Sequence, residues 1–151
     1  MKKERLIVKC SVEDFYNALV YDFKNQYLNL KGKNLDDEEV VKGFSFTHKL
    51  PMKKRDTVAN KAKYKIRECE PLQIFVLEYT SKTYHKVIST EMKKIDEEYT
   101  EILFGSFDEK LKIDTHPAVK FGEDKVVNAC IKTKFAIRSM LKNYKKTLEK
   151  K

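Results

Sequence analysis

Glycine is scarce in this chain of 151 residues, with four copies at positions 32, 43, 105 and 122. Standing that far apart, they exclude a GxGxxG dinucleotide turn and a Walker loop, both of which need clustered glycines to bring backbone amides onto phosphate. Histidine and cysteine are as sparse. His48, His85 and His116 fall on separate segments with no HExxH or HxH spacing, so no zinc or iron motif is present. Cys10, Cys69 and Cys130 are odd in number, form no CxxC pair and sit in apolar repeats. That pattern points to buried free thiols in a reducing cytoplasm rather than to a disulfide framework. GxSxG is absent and no cysteine adjoins a histidine, so nothing marks a nucleophilic catalyst. These absences argue against ATP-, NAD- and triad-dependent chemistry, and no cofactor or metal is expected. No apolar run approaches the roughly 20 residues that span a bilayer. Met1-Lys2-Lys3 leads straight into an alternating strand pattern rather than a signal peptide, so membrane insertion is not expected either.

What the chain has in quantity is charge, at 36% of residues, alongside 41% hydrophobic and 11% aromatic residues. That apolar content is too high for a disordered tail, and the length suits one domain spanning residues 1–151. The formal net charge is +9, and of the 32 basic residues the arginines are Arg5, Arg55, Arg67 and Arg138. Nucleic-acid readers lean on arginine for bidentate contacts, whereas dispersed lysine makes a solvated surface. The balance therefore argues against a nucleic-acid partner. The positive clusters Lys53-Lys54-Arg55, Lys93-Lys94 and the tail from Lys142 to Lys151 read as turn or terminal decoration, and the expected state is a monomer or weak homodimer.

Along the chain, Leu6, Val8 and Cys10 alternate with Arg5, Ile7 and Lys9 as in a half-buried strand. Ser11 then offers an N-cap, with Glu13 and Asp14 in the first turn. The apolar spacing from Val12 to Tyr27 predicts a helix. After Lys31-Gly32-Lys33, the run Asn34 to Glu39 predicts a second, short helix stopped by Gly43. Phe44, Phe46, His48 and Leu50 alternate as a strand that ends at Pro51. Further strands are predicted over 57–69, 72–80, 83–95 and 98–108, joined by links so short that neighbours must pair antiparallel. Past a loop through Thr115-His116-Pro117, the apolar positions from Val126 to Leu148 predict one long helix of about 40 Å if it spans 123–149.

This is an α+β order in which an antiparallel sheet must cover its apolar face with the last helix. A sheet curving around one helix leaves a space where small ligands bind. The whole chain resembles the START-like, or helix-grip, superfamily of polyketide cyclases, birch-pollen-allergen relatives and bacterial lipid-binding domains. The features that carry the likeness are the N-terminal strand running into Ser11-Val12-Glu13-Asp14-Phe15-Tyr16, the strand break Glu68-Cys69-Glu70-Pro71-Leu72, and the aromatic, basic C-terminal helix. Within that superfamily it is similar to small uncharacterised proteins of low-GC Gram-positive bacteria that carry Lys42-Gly43-Phe44-Ser45-Phe46 after a short acidic helix. The resemblance implies a curved antiparallel sheet of about six strands around a long C-terminal helix, with two short helices after the first strand. It implies no activity, because fold does not carry function.

Candidates for lining such a cavity are His48, Tyr64, Tyr79, His85, Cys130, Lys134 and Tyr144. Each histidine is either an acid, base or orienting donor, or a strand histidine bonded to backbone. The tyrosines, with Tyr84 and Tyr99 weighed beside these three, bring an apolar ring and a hydroxyl that needs a partner, in a pocket or in an ordinary sheet. Lys134, one turn from Cys130 and from Ile137, either aims its charge into the cavity or snorkels to water. The leading expectation is a cytoplasmic protein holding a small hydrophobic or amphipathic molecule between the sheet and the last helix. The alternatives are a cyclase- or hydratase-like enzyme using His48, Tyr64 or His85 in the same cavity, and a basic interaction module.

Overall fold

The computed structural model describes residues 1–50, 61–110 and 125–149. The expected strand end at Pro51, the strand start over 57–60, the basic cluster Lys53-Lys54-Arg55 and the loop through His116 lie outside them. The elements, in chain order, are β1 (Lys2–Lys9), α1 (Val12–Lys31), a single 3-10 turn at Asp37–Glu39, β2 (Ser45–Lys49), β3 (Lys61–Glu70), β4 (Ile74–Thr80), β5 (Tyr84–Lys94), β6 (Tyr99–Lys110), β7 (Lys125–Asn128) and α2 (Ile131–Glu149). Among the described residues one seven-stranded sheet runs in the order β2-β3-β4-β5-β6-β1-β7.

α1 begins where Ser11 accepts a hydrogen bond from the Asp14 amide at 3.1 Å. It ends where Gly32, at φ +70°, donates its amide to the Leu28 carbonyl. A left-handed residue closes the last turn at little steric cost only when it lacks a Cβ. At 20 residues α1 is a full-length helix rather than a short one. The predicted second helix shrinks to the 3-10 turn, because Leu35 and Val40, both buried, pin its two ends into the core.

The end of the chain departs from the predicted long helix. Val126 and Val127 belong to β7, which pairs parallel with β1 in the register Lys2↔Lys125 to Arg5↔Asn128, and α2 starts only at Ile131. Their spacing fits a helix, but a β-branched pair beside an open strand edge also fits a sheet, and the available edge decides. The helix is accordingly about 28 Å long rather than 40, and the sheet is mixed rather than wholly antiparallel.

Directly paired residues share a sheet face. One face carries Leu6, Ile102 and Met92 in register, and the buried cluster around them is closed by Val12, Phe15 and Ala18 of α1 and by Ile137 and Leu141 of α2. A second cluster packs Phe23 and Tyr27 of α1 against Phe46, Ile66 and Phe75. Its rings meet edge-on or tilted, as Phe23 does with Phe44, Phe46 and Phe75 at centroid distances of 6.0–6.3 Å, the geometry that ring quadrupoles favour. A bulge between Ile66 and Glu68 lets both Ile66 and Cys69 reach this cluster. The sheet thus grips α1 as well as α2.

Candidate functional site: a tyrosine-lined opening beside the first helix

Beyond the second cluster the helix-covered face stays partly open. Phe46, Tyr64 and Tyr79 lie side by side across β2, β3 and β4. The rings of Phe46 and Tyr64 stack at 4.8 Å, those of Tyr64 and Tyr79 meet edge-on at 5.0 Å, and Tyr84 follows at 6.2 Å from Tyr79. With Gln26 of α1 and with Leu77, Lys86 and Ile88 of the sheet, Tyr64, Tyr79 and Tyr84 bound an opening of about 380 Å³. That lies in the size range of small-ligand sites.

Burial, with the neighbouring Tyr79 adding to it, pushes the Tyr64 hydroxyl above the ordinary tyrosine range. Tyr84 donates to Asp108 Oδ2 at 2.7 Å. That bond, reinforced by the carboxylate's charge, holds the phenol protonated to higher pH. The opening therefore offers aromatic walls, hydroxyl hydrogen bonds and one ammonium, on Lys86.

Of the residues expected to line a cavity, Tyr64 and Tyr79 meet here. His48 is on the same face, paired with Ala62 on β3 and sharing Phe46's side of β2, but it does not line the opening. His85 does not join the group. It pairs with Thr80 and Glu109 on the opposite face, 1% exposed, with Nε2 2.9 Å from Glu78 Oε2. Arg67 Nη1 stands 3.5 Å from the same oxygen. Cys130 is exposed at the start of α2, where its amide donates to Glu4 Oε1 at 3.0 Å. Tyr144 fills the contact between the helices, 6.0 Å from the Tyr21 ring. Lys134 faces a separate space at the β1 edge.

The opening also differs in place from the expected one. It lies beside α1 rather than behind α2, because α2 packs Ile137 and Leu141 directly into the first cluster. Lys86 and Gln26 were not among the candidate residues. Tyr84 shared the signal that marked Tyr64 and Tyr79, whereas Gln26 and Lys86 carried none. Among the described residues no group of three or more histidine, cysteine or acidic side chains could hold a metal ion. No described helix is long and apolar enough to cross a membrane.

The model of a domain of unknown function, DUF3284, matches residues 1–131. The chain belongs to the DUF3284 family. No curated protein matches it. Among solved structures it is similar to Ara h 8.0201, with a TM-score of 0.53 at 11% identity over 99% of this chain and 97% of that one. Weaker likenesses include a protein of unknown function from Staphylococcus aureus, SA2116, with a TM-score of 0.48 at 13% identity over 99% and 98% of the two chains. Another is the Zhui aromatase/cyclase from Streptomyces sp. R1128, with a TM-score of 0.45 at 12% identity over 73% and 67%. At such identities a likeness speaks to fold alone, and this DUF3284 member has a helix-grip, START-like α+β fold.

Proposed function

We propose that the protein binds a small aromatic or amphipathic molecule carrying an anionic or strongly polar group, held on the helix-covered face between α1 and strands β3 to β5. The observation that carries this reading is the run of Tyr64, Tyr79 and Tyr84 around an opening that also presents Lys86. Tyrosine rings supply apolar contact at low entropic cost while their hydroxyls orient a polar edge, and the Lys86 ammonium favours a carboxylate, sulfonate or phosphate. The helix-grip fold supports a binding role in general, and the side chains supply the ligand class. The same reading takes residues 1–151 as one domain working in a reducing cytoplasm, as a monomer or weak homodimer.

Binding of anilinonaphthalene sulfonate, an aromatic ring system with one sulfonate, tests the site. The expected result is saturable binding to the folded protein, weakened about tenfold by Tyr79→Ala and similarly by Lys86→Ala, since a lost ring contact or charge of about 1.4 kcal/mol is tenfold in Kd. Near-ultraviolet circular dichroism checks that each variant is folded. Unchanged affinity in both folded variants refutes the assignment, and small molecules that co-purify with the protein, identified by native mass spectrometry, would give the natural ligand class.

A further inference from the structure

Five basic residues of α2 and two of β1 gather along one trough of the folded chain. A space of about 660 Å³ runs between β1 and α2, bounded by Lys9, Arg138, Lys142, Lys145 and Lys146, with Glu149 the one acid among the described lining residues. It continues into a second space of about 510 Å³ that shares Ile7 and Arg138 and adds Arg5 and Lys134 against Glu101. Among the described residues none of these seven cations takes part in an ion pair.

One wall of the trough is an unfinished sheet edge. β7 runs beside β1 only from Lys2 to Arg5. The Lys125 amide donates to the Met1 carbonyl and the Ala129 amide to the Arg5 carbonyl, so odd-numbered residues of β1 turn their backbone groups to this side. The chain then leaves for α2. The next such groups, the amides and carbonyls of Ile7 and Lys9, have no backbone partner on this side among the described residues. Val8 and Leu141 line the depth of the trough, 4% and 7% exposed, while Ile7 and Tyr99 stand at its rim, 57% and 38% exposed.

We propose that this trough binds an acidic, extended peptide segment by adding it as a strand to the free half of β1. An open strand edge is a template for pairing, and strand addition draws affinity from main-chain hydrogen bonds and specificity from alternate side chains. A peptide with alternating acids sets its carboxylates against the α2 cations, and its intervening apolar side chains meet Ile7 and Tyr99. A bilayer presents no extended backbone to pair with the free edge. Single-stranded nucleic acid seeks successive aromatic platforms, and here Tyr99 is the one aromatic among the described lining residues.

The test is fluorescence anisotropy with a labelled peptide of alternating glutamate and valine, together with amide hydrogen exchange of the complex. The expected result is saturable binding that falls with added salt and drops tenfold or more in the double variant Lys142→Glu, Lys145→Glu, both exposed positions. Exchange of the Ile7 and Lys9 amides should slow when the peptide is bound. Absence of binding overturns the proposal. So does binding that leaves those two amides unprotected, and so does tighter binding of oligothymidylate or of phosphatidylserine vesicles than of the peptide.

Discussion

Glu4 links the first strand to the last helix, and its replacement by glutamine probes that link. It stands on β1 opposite Phe104 of β6. Its Oε1 accepts from the Cys130 amide at 3.0 Å and its Oε2 from the Thr133 hydroxyl. The Cys130 amide is one of the donors that a helix start leaves without an intrahelical partner, so Glu4 acts as an N-cap supplied from another element. Losing a capping side chain costs about 0.5–2 kcal/mol, and a negative charge at a helix N-terminus contributes about 0.3–1 kcal/mol. Glutamine keeps one acceptor oxygen and no charge. Glu4→Gln should therefore cost about 1 kcal/mol and Glu4→Ala about 2 kcal/mol, and for a domain of this size each kcal/mol lowers Tm by about 2–4 °C. The Thr133 bond first, and the Cys130 amide second, hold the Glu4 carboxyl below its ordinary value of 4.5. Between the ordinary and the depressed value the unfolded chain binds more protons than the folded one, so this increment of stability is present above about pH 4.5 and lost as pH falls through the depressed value. Scanning calorimetry of wild type and Glu4→Gln across that range should show a Tm gap at neutral pH that closes on acidification. No gap at neutral pH, or a gap that survives well below the window, refutes the capping role.

Phe23, 3% exposed among three phenylalanine rings, should lose about 3–5 kcal/mol on replacement by alanine in urea unfolding, because the void left between α1 and the sheet cannot close. Ultraviolet titration should show Tyr84 ionising late, and Asp108→Asn should return it toward the ordinary tyrosine range by removing the carboxylate that accepts its proton. Anilinonaphthalene sulfonate should lose about tenfold in affinity with Tyr79→Ala. The glutamate–valine peptide should protect the Ile7 and Lys9 amides from exchange.

Much of the candidate site was legible as residue types and little of it as positions. Tyr64 and Tyr79 stood out as strand tyrosines, each an apolar ring with a hydroxyl that needs a partner. His85 shows the limit of such reading. Its strand alternates Tyr84, Lys86, Ile88, Thr90 and Met92 with His85, Val87, Ser89 and Glu91. Both sets mix polar and apolar residues, so periodicity alone does not say which set faces the helices. Pairing with β6, whose Ile102 and Phe104 lie toward the core, settles it and sends His85 to the other face. The location of the opening was equally hidden. It depends on α2 being shorter than its apolar spacing suggests and on α1 occupying the middle of the grip.

Local signals determined what local physics controls. Ser11 and Gly32 bound α1 by satisfying the orphan groups of its ends, and alternation with short links yields the antiparallel run β3 to β6. An α+β order follows, because such a sheet must cover an apolar face with a helix, and the helix-grip class came from the resemblance rather than from these signals. Only the tertiary structure decided what depends on distant partners. β7 exists because β1 has a second edge to pair with, and it ends at Asn128 because the chain must turn to lay α2 on the core. That early exit leaves Ile7 and Lys9 on an open edge and swings Arg138, Lys142 and Lys145 alongside it. Cations of α2 and of β1, far apart in the chain, thereby line one predominantly basic trough, since sequence distance does not measure distance between a strand and the helix packed beside it.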